Sequence, residues 1–324
     1  MTIIDQEEFV PKDTYDAGGF SSPFEKKSKW AKLRRIPLYV LTIVMIAPYY
    51  WMITSSFKSV QELQKVPPTV VPDRWLWINY FNSNFGKVNN NSTDPSNQRG
   101  LFQRFEEVQF GFFHYVLNSL FIVVTITVAT MLISSLAAYV VSKHRLKGKR
   151  FIYLLIIGSM MVPWQVGIIP NFLTMSNLNW LDTYWAYIVP ALPKAFIVFF
   201  LVQYLSSIPD ELVESARIDR ASEFTIWWRI ILPLLKPAMI AMMIFASIGE
   251  WNNFLWPMIV TSSPEMWNLP VALSMLRNNG AGNIGVQGII MGASLIASIP
   301  TVLLFLVAQK QDRKSTRLNS SHTD

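Results

Sequence analysis

Two ionisable side chains, Lys194 and Glu250, stand inside runs that are otherwise apolar and uncharged. Charge in a hydrocarbon environment costs several kcal/mol, so such residues face protein or water and mark a solute path or a pair between helices. Counted at about 1.5 Å per residue, Lys194 lies ~14 Å beyond Trp185 and Glu250 ~20 Å beyond Pro237. In a core about 30 Å thick, traversed in opposite directions, those depths bring the two within reach of each other. Glu250, Asn253 (one turn on) and Lys194 are therefore candidates for lining a translocation pathway. A purely structural ion pair, or a lysine that snorkels to the interface, fits the same positions. Pro190 and Pro193 predict an opened backbone beside Lys194, as at broken helices that line cavities.

Other chemistries lack their residues. The Gly-x-x-x-x-Gly-Lys-Ser/Thr phosphate loop is missing: Gly148-Lys149 is followed by Arg150, and Gly86-Lys87 by Val88. ATP hydrolysis is not expected of this chain. His114, His144 and His322 are scattered, no metal-ligand spacing occurs, and the chain has no cysteine. No catalytic residue and no bound cofactor or metal is expected. The net charge of +7 could suggest nucleic acid, but the basic residues gather in short clusters beside apolar runs, which is a topology signal.

The elements that must hold these residues are membrane spans. Only 15% of the 324 residues are charged, against about a quarter in soluble domains, and 12 Trp and 11 Tyr suit two water–lipid boundaries. The first 25 residues are polar and predict no cleavable signal peptide. Six spans follow, at about Ile36–Phe57, Tyr115–Ser142, Phe151–Met175, Thr183–Ser206, Ala238–Val260 and Gly285–Ala308. The first is 22 residues, a helix of roughly 33 Å, with Pro48 predicting a kink. Segments 26–35, 143–150, 207–236 and 309–324 hold 19 Lys/Arg, and the longer loops 58–114, 176–182 and 261–284 hold 7. The positive-inside rule then puts both termini in the cytoplasm. Residues 1–35 read as a cytoplasmic tail, 36–309 as the transmembrane domain and 310–324 as a second tail. Within the last, Arg313–Asp324 is patternless, the mark of a disordered or foreign segment. Gly288 and Gly292, four apart in span six, predict close helix packing.

One polar island, Pro209–Pro237, interrupts the spans on the cytoplasmic side. Ser207 and Asp210, with Pro209 and Glu211 in the first turn, predict a capped helix start. Leu212, Ala216 and Ile218 continue a short helix, and Ala221-Ser222 offers a break and a new cap. Ile226, Trp227, Ile230 and Ile231 form the apolar side of a second helix, closed at Pro233. Glu214, Arg217, Asp219 and Arg220 are left for a partner. A plain connector lying at the lipid surface fits equally well on these grounds.

The spacing Glu214-Ser215-Ala216, three residues, Arg220, nine residues, Ile230-x-Leu232-Pro233 resembles the Glu-Ala-Ala motif of permeases in binding-protein-dependent ABC importers. Ser215 stands for an alanine, and Arg220 for the glycine that permits a sharp turn. The likeness runs from about Pro37 to Gln309, through Ser55-Ser56-Phe57-Lys58-Ser59, Asn79-Tyr80, Asn118-Ser119, Ala137-Ala138-Tyr139 and Trp251-Asn252-Asn253-Phe254-Leu255-Trp256-Pro257. It looks like the carbohydrate-uptake branch, close to maltose-type second-subunit permeases. The resemblance implies an all-α polytopic protein with six transmembrane helices and the type I ABC importer permease fold. It also implies a multi-pass protein of the bacterial cytoplasmic (inner) membrane, embedded in the lipid bilayer. Its partners would be a second, homologous permease, an ABC ATPase dimer that uses the ATP, and an extracytoplasmic solute-binding protein, with a carbohydrate as substrate and no nucleic acid. Glu211, Glu214, Ser215, Ala216, Asp219, Arg220, Ile230, Leu232 and Pro233 would belong to the coupling segment. Against this stand an ion-driven secondary transporter, a membrane-embedded enzyme, and an ABC permease for a non-sugar solute such as glycerol phosphate.

Overall fold

The computed structural model describes residues 36–77, 80, 101, 110–279 and 285–320, and among them all regular structure is helical. The chain divides into two units, Met1–Tyr50 and Trp51–Asp324. Of the first, residues 36–50 are described and form most of α1 (Ile36–Ser56), with Pro48 inside the helix. The second unit holds α2 (Val60–Leu63), α3 (Phe112–Lys143), α4 (Lys149–Met160), α5 (Ile168–Asn177), α6 (Tyr184–Ala191) and α7 (Ala195–Ser206). It continues with α8 (Glu211–Ile218), α9 (Glu223–Ile226), α10 (Leu232–Trp251), α11 (Leu255–Val260), α12 (Leu269–Asn279) and α13 (Gly285–Ser320). The tail 1–35, the loop Asn82–Gln109 that the sequence reading expects outside, apart from Leu101, and residues 321–324 lie outside the described residues.

Among the described residues, four helices are long and apolar enough to cross a membrane: Ile36–Ser56, Phe112–Lys143, Glu223–Trp251 and Gln287–Leu306. Two bent pairs bring the count to six if each is one span. Lys149–Met160 and Trp164–Asn177 meet at 90°, and Tyr184–Ala191 and Ala195–Ser206 at 41°. The sequence predicts the opening beside Lys194 but reads the first pair as one continuous span, and proline explains both bends. Pro163 and Pro193 each lack a backbone N–H, and the backbone leaves the helical region at Pro163 (ψ 132°) and, one residue after Pro193, at Lys194 (φ −106°, ψ 94°). The fifth span is also interrupted: α10 ends at Trp251 and α11 starts only at Leu255. Pro257 cannot donate to the Asn253 carbonyl, which accepts from Asn268 Nδ2 at 2.7 Å instead.

The expected helix end at Pro233 is not there. A π-helical turn, Trp227–Ile231, joins α9 to α10, so one helix runs from Glu223 to Trp251. The wider turn falls where Pro233 would otherwise break the i→i−4 ladder.

The spine of the second unit is α3, 32 residues long and so about 48 Å. Its first half enters one core with Phe57, Trp251, Leu269, Leu276 and Ile289. Its second half enters another, where Met131, Ala138 and Tyr139 meet Leu201, Val213, Trp227 and Leu235. The buried face of α3 also carries Thr127, Thr130, Ser134 and Ser135, small residues that let membrane helices approach closely. Thr127 Oγ1 and Ser247 Oγ share a hydrogen bond of 3.2 Å, and Trp227 Nε1 donates to Ser135 Oγ at 3.3 Å.

Beyond Lys58 the chain folds back on itself. The buried Lys58 ammonium donates to the Thr69 carbonyl at 2.5 Å and sits 4.3 Å from the Trp51 ring centre. Glu62, also buried, accepts from Thr69 Oγ1 and the Asp73 N–H. Helix α13 reaches this region through its glycines. A Cβ on Gly292 would lie 3.0 Å from the Tyr80 ring, whose hydroxyl donates to Ser56 Oγ at 2.7 Å. Gly292→Leu is therefore expected to destabilise the fold by about 1–3 kcal/mol through overpacking, and Gly292→Ala by less. Thermal unfolding in detergent reads this; an unchanged melting temperature for the leucine variant would contradict the contact.

Candidate functional site

The polar island folds as the sequence suggests in outline and differs in its fastenings. Helix α8 begins at Asp210, whose carbonyl accepts from the Val213 and Glu214 N–H groups at 3.0 Å. The expected hydroxyl cap is not made: Ser207 Oγ donates to the Tyr204 carbonyl, and the Asp210 carboxylate makes no cap bond. That carboxylate instead accepts from Lys143 Nζ at 2.5 Å, and the same ammonium donates to the Ile208 carbonyl. The Lys143 hydrogen bond, then its charge, holds Asp210 below the usual carboxylate range. The C-terminus of α3 thus grips the start of α8.

The end of α8 turns sharply at Arg220, which has φ of 59°. The Arg220 N–H donates to the Arg217 carbonyl, and the Ala221 N–H to the Ala216 carbonyl. This paired bonding closes a helix with a left-handed residue that is most often glycine. The motif turn is therefore kept although an arginine occupies it. Left-handed backbone costs a residue with a Cβ roughly 1–2 kcal/mol, so Arg220→Gly is expected to raise stability by about 1 kcal/mol. Thermal unfolding of the two forms reads it, and a loss of stability would show that the Arg220 side chain contributes more than the strain removes. Ser222 then caps α9 as expected, accepting from the Thr225 N–H at 3.3 Å.

Glu223, a residue given no role in the sequence reading, ties three elements together. It accepts from Tyr139 Oη of α3 at 2.5 Å and from Arg217 Nε of α8 at 2.9 Å, with His144 Nε2 at 3.2 Å. Arg217 is consequently not free for a partner. Its hydrogen bond to Glu223 raises the guanidinium's pKa further. The outer face of α8 also differs from expectation. Val213 and Ala216, three apart, are buried, whereas Leu212 is 45% and Ile218 81% exposed. Glu211, Glu214, Ser215, Asp219 and Arg220 are exposed beside them, so the free face mixes acid groups with an apolar knob. Ala216 faces the protein's own core, and Ile230 and Leu232 pack against that core while Pro233 is exposed. Ala216, Ile230 and Leu232 therefore hold the helix pair in place, while Glu211, Glu214, Ser215, Asp219 and Arg220 stand at its surface.

Three backbone breaks meet elsewhere, around one cavity of about 860 Å³. They are Met161–Pro163 after α4, Leu192–Lys194 between α6 and α7, and Asn252–Phe254 after α10. Lys194 sits at the N-cap of α7 and Glu250 in the last turn of α10. Their side chains meet at 2.5 Å, with Glu250 7% exposed and Lys194 31%. Asn253 Nδ2 donates to the other Glu250 oxygen at 3.4 Å. The three intramembrane candidates are thus together, paired and on a cavity wall. Trp164, Asn171, Phe254 and Trp256 share that wall; Phe254 and Trp256 belong to the Trp251–Pro257 stretch that carries the resemblance, and Trp164 and Asn171 carry no sequence signal beyond their own types.

A second clasp secures the loop between α5 and α6. Asp182, at φ 60°, donates its N–H to the Val260 carbonyl and accepts on its side chain from the Ser262 and Ser263 N–H groups and the Ser263 hydroxyl. Burial alone would push its carboxyl up; the three donors together hold it below its ordinary value.

The comparisons with known proteins agree with this geometry. The arabinooligosaccharides transport system permease protein AraQ of Bacillus subtilis is 38% identical over 199 residues, covering 61% of this chain and 70% of its own. The diacetylchitobiose uptake system permease protein NgcG of Streptomyces coelicolor is 28% identical over 87% of this chain and 86% of its own. The sn-glycerol-3-phosphate transport system permease protein UgpE of Yersinia pestis is 30% identical over 85% and 92%. A chain in the crystal structure of a bacterial ABC transporter involved in the import of the acidic polysaccharide alginate superposes with a TM-score of 0.70 at 21% identity. The match covers 89% of this chain and 99% of that one, and shows the fold. The family described as binding-protein-dependent transport system inner membrane component matches residues 130–316, more than half of the chain and all of the polar island, the Glu223 tie and the cavity. This multi-pass membrane protein belongs to that family of transport permeases.

Proposed function

We propose that the chain is one permease subunit of an ABC importer that carries a carbohydrate across the bacterial cytoplasmic membrane. Helix α8 lies on the cytoplasmic side and docks on a separate ATPase, whose closure on ATP drives alternating access around the Lys194–Glu250 cavity. A second permease completes the pathway, and an extracytoplasmic binding protein delivers the solute. The observation that supports this best is the outer face of α8. A helix held from behind by Lys143–Asp210 and Arg217–Glu223, with Ile218 bare in front, is built to press on something. A connector resting on lipid would turn its apolar residues to the bilayer and would not need two charged ties. Carbohydrate as cargo is supported by the relatives named for arabinooligosaccharides and diacetylchitobiose. The relative named for sn-glycerol-3-phosphate favours a second reading, a phosphorylated polyol.

Co-purification of the importer tests the docking. Glu214→Lys should reduce the ATPase recovered with the tagged chain, while Arg217→Lys, behind the docking face, should reduce it less. Equal recovery for wild type and Glu214→Lys would remove α8 from the interface.

A further inference from the structure

The cavity itself carries information about the charge of what passes through it. Among the described residues that line it, Lys194 and Glu250 are the charged ones, and they neutralise each other at 2.5 Å. A phosphate or carboxylate on the cargo would need a cation here, because an unpaired anion is poorly solvated in such a site. The available ammonium is already held by a carboxylate that is 7% exposed. Drawing Lys194 away would leave Glu250 buried and uncompensated, the arrangement that makes broken ion pairs so unfavourable. The rest of the wall offers aromatic surface from Trp164, Phe254 and Trp256 and amides from Asn171, Asn252 and Asn253. Rings to stack against sugar C–H faces and amides to bond hydroxyls need no net charge on the ligand.

We infer that the Lys194–Glu250 pair acts as a charge filter, making the cavity selective for uncharged oligosaccharides over phosphorylated or uronate-bearing ones. This rests on the reading of the cavity as the transport path. It goes further, because a pathway cavity could equally have presented a free cation to an anionic cargo.

The test is ligand-observed saturation-transfer NMR on the membrane complex in nanodiscs, with the binding protein omitted so that the cavity alone is read. The probes are arabinotriose and diacetylchitobiose against trigalacturonate and glycerol 3-phosphate. The wild type should contact the neutral sugars and bind the anions at least about tenfold more weakly. Glu250→Gln, which leaves Lys194 without its carboxylate, should gain anion binding. The exchanged pair Lys194→Glu with Glu250→Lys should again reject anions, and a normal gel-filtration profile shows that both variants fold. Anions binding the wild type as well as the neutral sugars would overturn the filter and leave the pathway reading standing. No cavity contact from any probe, in wild type or Glu250→Gln, would overturn both.

Discussion

Ile218→Asp is expected to abolish most ATP-driven uptake while leaving the protein folded and in the membrane. Ile218 is 81% exposed and touches none of the protein's own cores, so the substitution leaves intramolecular packing intact. At an interface, an apolar knob that fills a pocket is the kind of residue whose loss costs 2 kcal/mol or more, equivalent to roughly a thirtyfold drop in docking. Uptake of labelled substrate and ATP hydrolysis, measured together in proteoliposomes, should fall in parallel. Val213→Asp provides the contrast: Val213 is buried in the core, so that variant should fail to accumulate. Transport at the wild-type rate in Ile218→Asp would mean that α8 does not transmit the work of the ATPase.

The second large effect concerns the intramembrane pair, and its asymmetry is diagnostic. Lys194→Met strands a carboxylate that is 7% exposed, whereas Glu250→Gln leaves an ammonium that is 31% exposed and borders the cavity. Removing one partner of a buried pair costs about 3–5 kcal/mol when the other cannot reach water. Lys194→Met should approach that figure, and Glu250→Gln should fall well short of it. Thermal unfolding in detergent separates the two. Uptake then separates structure from pathway: a stable Glu250→Gln protein with wild-type affinity and rate would make the pair a helix lock only.

Much of this was legible before any coordinates. Composition, apolar run lengths and basic clusters predict a helical membrane protein with six spans, because bilayer thickness leaves few other ways to bury such runs. The described residues hold four such helices, or up to six if each bent pair is one span. Lys194 and Glu250 could be matched by depth, since helix rise converts residue count into distance. What stayed hidden depends on side-chain direction. Leu212 and Ala216 are four apart and look like one stripe, yet the buried pair is Val213 and Ala216. Glu223 reaches Arg217 across a turn and Tyr139 across 84 positions, so no local spacing rule finds it. Proline was read as a helix end at Pro233, where a π-helical turn absorbs it. At Pro163 and Pro193 it does break the helix, and those breaks make the cavity. Arg220 shows the opposite case: the residue departs from the motif while the backbone keeps the motif's turn.

The chain has no cysteine, so a single thiol can be placed and labelled without background. The most direct test of the central claim is Ile218→Cys carrying a photo-crosslinker, in the assembled importer. Irradiation should give a covalent adduct with the ATPase subunit, with a yield that changes when ATP closes the dimer. Adducts confined to lipid, with none to the ATPase under any nucleotide condition, would make this helix a surface connector and contradict the account.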